Sequence, residues 1–181
     1  SGQSNDLEDI VKDILPTVVL AEGDETPDIF YHIIDYPDGE LWVELIFKYS
    51  SSSYHGLFEH PHDGEIIKCK IDRETRKVIE TYLSYHLWDS KVEGSVDVVY
   101  VEEFGHGMVA EEDFPYVFGF MKFDHEKSGK ILEPSDYIKN IKPLSESEPY
   151  PDITGALGKA LGERSMDPSK RLEVISPRDY Y

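Results

Sequence analysis

A chain of 181 residues with 18 Lys and Arg against 37 Asp and Glu carries a formal charge of −19. That balance excludes a nucleic-acid partner, because such binding draws on cationic side chains that release counterions. It equally excludes adsorption to an anionic membrane through a basic patch. The 39% hydrophobic and 30% charged fractions are those of an ordinary globular domain, and no apolar run approaches the ~20 residues of a transmembrane segment.

Leu7, Ile10, Val11, Ile14 and Leu15 share one helical face, so residues 7–15 read as a helix that Asn5 or Asp6 can cap and Pro16 stops. From there to about residue 124 the period becomes two. TVVLAE, DIFYHII and ELWVELIFKY read as strands, the last two joined by a turn at Asp35-Tyr36-Pro37-Asp38-Gly39. Residues 50–64 read as a polar loop entering a strand. EIIKCKID and KVIETYLSYHLW form a second hairpin around Arg73–Arg76, and SVDVVYVEEF and FPYVFGFMKFD are further strands. Cys69, the one cysteine, rules out a disulfide within the chain and sits on the same strand face as Ile67 and Ile71, where a buried thiol is expected. The pattern predicts an all-β antiparallel sandwich of jelly-roll type over residues 1–143. Residues 144–181 read as a Pro/Ser/acid linker, a short helix at Ile153–Leu161, and a tail that wraps the domain or mediates contacts.

Three of the seven histidines, His55, His60 and His62, fall within eight residues, and Asp63 and Glu65 follow at once. One imidazole and two carboxylates converging from a loop suit a divalent cation, and the alternative is a solvated polar loop. Ser84 and His86 lie at period two on a strand expected beside the one carrying Glu65. His106 stands between Gly105 and Gly107, where the backbone can take unusual angles. Neither a glycine-rich phosphate loop nor a GxSxG elbow is present.

The order His60-x-x-Asp63-x-Glu65, then Ser84-x-His86, then an apolar strand ending in Gly105-His106-Gly107 resembles the necrosis-inducing-protein-like superfamily. The core motif of that group is HRHDWE or HEGDWE, and the likeness extends over roughly residues 15–124. Gly64 stands where the family has Trp, and Ser52 falls near the family's upstream acidic residue. The resemblance implies a metal site of His60, Asp63, Glu65 and His106, with His62, His86 and Ser52 behind those ligands. It implies a Ca, Mg, Mn or Zn cofactor, and a polar small molecule, such as a sugar, or a lipid headgroup as partner. A metal-dependent hydrolase, with His62 or His86 moving the proton, and an interaction protein with a structural histidine network are the alternatives. No targeting segment is legible, which leaves a cytoplasmic location and export with a removed signal equally open. The oligomeric state is likewise unassigned.

Overall fold

Helix α1 (Gly2–Ile14) stops two residues before Pro16, whose ring disfavours helical backbone at Leu15. The computed structural model describes residues 2–147 apart from 55–56, 86–87, 112–113, 115, 118–120 and 123–127. Side chains at 2–6, 54, 57–61, 88, 116–117, 121–122 and 128 are also outside the description. The strands follow in chain order: β1 (Thr17–Ala21), β2 (Asp28–Asp35), β3 (Leu41–Tyr54), β4 (Leu57–Ile71), β5 (Val78–Tyr85), β6 (Trp88–Glu93), β7 (Val98–Val101), β8 (Met108–Val109), β9 (Tyr116–Val117), β10 (Met121–Lys122) and β11 (Ser128–Leu132). The short helix α2 (Pro134–Tyr137) and a last strand, β12 (Lys142–Pro143), complete the order. None of the described helices is long and apolar enough to cross a membrane.

The expected all-β sandwich is present as a six-stranded sheet, β12-β2-β3-β4-β5-β6, facing a four-stranded sheet, β11-β1-β7-β8. Both sheets are mixed rather than purely antiparallel, because β1 pairs with β7, and β12 with β2, in parallel. The two hairpins read from Asp35–Gly39 and Arg73–Arg76 form where their turn residues predict. The left-handed backbone they require falls on Gly39 and Arg76.

Several expectations need correction. The helix begins at Gly2, ahead of the expected Asn5 or Asp6 cap, and FPYVFGFMKFD holds two strands paired antiparallel, β9 and β10, rather than one. Residues 50–54 and 57–64 are not loop but strand: β3 and β4 pair from Leu41↔Ile71 out to Tyr54↔Leu57. Pro61 and Gly64 tolerate this because the ladder between β4 and β5 ends at Ile67↔Leu83, so among the described residues no strand pairs with the other side of this end of β4. A proline without an N–H is permitted on such an edge. The run KVIETYLSYHLW is also not one strand. It folds back between Tyr85 and Trp88, which pair across β5 and β6. Ser84 and Trp88 therefore lie on different strands, and His86 falls outside the described residues.

The core follows the period of two. Leu41, Val43, Leu45, Phe47 and Tyr49 of β3 point inward with Ile67, Cys69 and Ile71 of β4 and Leu83 of β5. They meet Val18, Leu20, Val99, Val101, Met108 and Leu132 of the smaller sheet and Ile10 and Val11 of α1. Cys69 is buried as expected, and burial pushes its thiol up to about 12. The inward row of β4 changes from apolar to acidic at one end, where Glu65 and Asp63 succeed Ile67. That end carries the site.

Candidate functional site

Asp63 and Glu65 sit opposite Tyr49 and Phe47 in the β3–β4 ladder and are almost wholly buried. A carboxylate on the core face of a sheet is costly unless it is paired or hydrogen-bonded. Glu65 accepts a hydrogen bond from the Ser84 hydroxyl, which in turn accepts one from the Ile66 N–H at 2.8 Å. Ser84 thereby replaces the backbone bond that the broken β4–β5 ladder leaves unmade. Asp63 Oδ2 meets His106 Nδ1 at 2.8 Å, although 43 residues separate them.

His106 comes from the loop between β7 and β8. Its other ring nitrogen, Nε2, lies 3.1 Å from Asp24 Oδ1, and the ring stacks on Tyr49 with centroids 3.7 Å apart and planes 2° from parallel. Burial alone would favour neutral imidazole. The bonds and charges of Asp24 and Asp63 outweigh it and raise the pKa from 6.5 to about 9. At neutral pH His106 is thus an imidazolium that donates from both nitrogens, a cation enclosed in the fold. Burial acts to raise the Asp24 pKa, but the His106 bond and the N–H groups of Phe104 and Glu25 hold it below 3.8.

The loop is braced to hold that ring. Glu102, fully buried, accepts the Gly107 N–H at 2.8 Å through Oε1, while its backbone bonds to both Gly107 and His106. Phe104 donates its N–H to Asp24 Oδ2 at 2.9 Å and accepts the Ser53 N–H at 3.0 Å. His62, Phe104 and His106 all have positive φ, at 58°, 55° and 68°. Such backbone strain in non-glycine residues persists only where the surroundings over-determine it, and it clusters at functional sites. Gly107 has no room for a methyl group: a Cβ there would stand 2.7 Å from both Glu102 Oε1 and Tyr85 Cδ2. Gly107→Ala is therefore expected to cost about 1–3 kcal/mol by overpacking. A urea midpoint equal to wild type would show that the loop gives way instead.

Tyr49 supplies a further clue. The residue is 4% exposed, and its hydroxyl has no hydrogen-bond partner among the described residues. Burial, then the charges of Glu65, Asp63, Asp24 and Glu25, raise its pKa well above 10. The charges of four carboxylates thus bear on one buried phenol, and His106 is bonded to two of them, Asp24 and Asp63.

Of the residues expected at the site, the fold joins Asp63 and His106 directly, with Glu65 on the same strand face. The side chains of His60 and His86 lie outside the described residues. Ser52 is the strand partner of His60, and His62 is half-buried beside Asp63. Asp24, Glu25 and the Tyr49 hydroxyl were not expected. Asp24 lies in a Gly-Asp-Glu turn, a pattern shared by many surface turns. Among the described residues, no three or more His, Cys, Asp or Glu side chains are grouped so as to hold a metal ion. No protein-family model, curated protein or solved structure matches this chain.

Proposed function

We propose that this chain is a divalent-cation-binding β-sandwich of the necrosis-inducing-like type, whose cation helps it recognise a polar ligand such as a sugar or lipid headgroup. Asp63 and Glu65 would hold the cation together with His60. His106 would fix Asp63 rather than ligate, since both its ring nitrogens are already bonded to carboxylates. The observation that carries the reading is the pair Asp63 and Glu65, both buried on one strand face, with His106 bonding Asp63 to Asp24. Like charges held close oppose joint ionisation, and a divalent cation relieves that opposition. An all-oxygen majority suits Ca, Mg or Mn, while added imidazole admits Zn.

A ligand present at 100 times its dissociation constant and binding only the folded state stabilises it by about 2.7 kcal/mol. Chelator is therefore expected to lower the melting temperature, and divalent metal to restore it. Glu65→Gln and Asp63→Ala should lose that response, while His32→Ala on the far side of the sheet should keep it. The doubly bonded His106 favours a second reading, an interaction protein in which the cluster is purely structural. Identical melting with metal and with chelator in wild type would establish that reading and sink the first.

A further inference from the structure

The outer face of the six-stranded sheet is buried. Side chains there alternate with those of the core: Trp42, Glu44 and Ile46 of β3, Ile66 and Lys68 of β4, and Tyr82 of β5. All are buried, Trp42 at 3% exposure and Lys68 at 1%. Trp42 and Tyr82 pack with ring centroids 5.9 Å apart. Lys68 Nζ bonds Asp89 Oδ2 at 2.6 Å, and both side chains are 1% exposed. Helices α1 and α2 and the smaller sheet all contribute to the core on the opposite face.

The chain itself leads to this face. Strand β12 adds to the edge strand β2, and Ser147 then accepts a hydrogen bond from Lys48, whose ammonium also lies 5.6 Å from the centroid of Phe30. Lys48 and Phe30 share the outer-face register with Ile46. Thirty-four residues follow Ser147. They carry five Lys and Arg against six Asp and Glu, whereas residues 1–147 bear a net charge of −18. Their apolar residues include Ile153, Leu157 and Leu161, spaced four apart, which would align along one helical face.

We propose that residues 148–181 dock in cis across this outer face and exclude water from the Trp42–Tyr82 pair and the Lys68–Asp89 ion pair. The occupant is this chain's own segment for three reasons. Its entry point is bonded to Lys48 on that face, its length suffices to cross six strands about 5 Å apart, and its near-neutral charge suits an otherwise strongly acidic body.

Two measurements on the full chain test this. The first is carbodiimide cross-linking of carboxylates to lysines, read by mass spectrometry on monomer isolated after reaction. Links are expected from Lys159, Lys170 or Glu163 to rim groups of the outer face such as Glu80, Lys91 and Glu93. Links from the segment only to other faces, or only between copies, would overturn the proposal. The second places Leu157→Asp with Leu161→Asp in a Trp88→Phe background, so that emission reports Trp42 alone. The expected result is a red shift and a several-fold rise in acrylamide quenching, with the far-UV strand spectrum unchanged. Emission that stays put would show that something else covers the face, whether the β9–β10 hairpin or a second copy. Shielding of Trp42 that falls on dilution would identify the second copy.

Discussion

Replacing His106 by alanine is expected to destabilise the metal-free protein by about 3–5 kcal/mol, the usual loss when one partner of a buried charge cluster is removed. The imidazolium is the group bonded to both Asp24 and Asp63, and its ring fills the space over Tyr49. Its removal leaves two carboxylates facing each other in a buried site and takes away a stacked ring at once. The charge part of this loss is separable. Asp63→Asn combined with His106→Gln replaces an ion pair by two neutral amides, so the double variant should lose less than the sum of the single ones. A coupling energy of about 0.5–3 kcal/mol is the range for contacting residues in one network. Urea unfolding of the four proteins in chelator measures it. Strict additivity would mean that Asp63 and His106 do not act on each other, and the cluster described here would then lack its central contact.

Why part of this cluster was legible and part was not follows from what a sequence pattern encodes. Glu65, Ile67, Cys69 and Ile71 alternate with Ile66, Lys68 and Lys70, so the inward position of Glu65 follows from the period of two. An acid placed at the end of an apolar row stands out for the same reason. His106 stood out because glycines flank it, and Gly107 serves the loop: it lacks room for a side chain and gives its N–H to Glu102. Asp24 carried no such mark. It reaches the site only because the turn after β1 lies against the β7–β8 loop, a relation set by the parallel pairing of β1 with β7. Nothing in the local sequence encodes that pairing. Tyr49 lies within the run ELWVELIFKY that reads as strand, whereas what its hydroxyl meets depends on its surroundings in three dimensions. The length of β3 and β4 was misread because Ser-rich and Pro-containing segments usually form loops. Here a long register carries them through as strand.

Stability in chelator is expected to fall as pH rises from about 6.5 to about 9, by roughly 3 kcal/mol across the window. The folded protein holds the His106 proton with a pKa of about 9, against 6.5 for an ordinary histidine, and each unit of difference is worth about 1.4 kcal/mol. A group whose pKa is raised by folding contributes fully below its unfolded value, where both states carry the proton. The contribution fades once the unfolded chain releases its proton and is gone when the folded protein does so too. Above about 9 the ring is neutral, and the imidazolium no longer bridges Asp24 and Asp63. On the acid side the sign reverses for Asp24, whose pKa is lowered: its contribution is present above 3.8 and lost as pH drops through the folded value. Urea midpoints at pH 6.5, 8 and 9.5 in wild type and His106→Gln make the comparison. The wild-type slope should vanish in the variant even though the variant starts less stable. Parallel slopes in the two proteins would show that His106 is not the group titrating, and that the enclosed imidazolium does not hold the two carboxylates together.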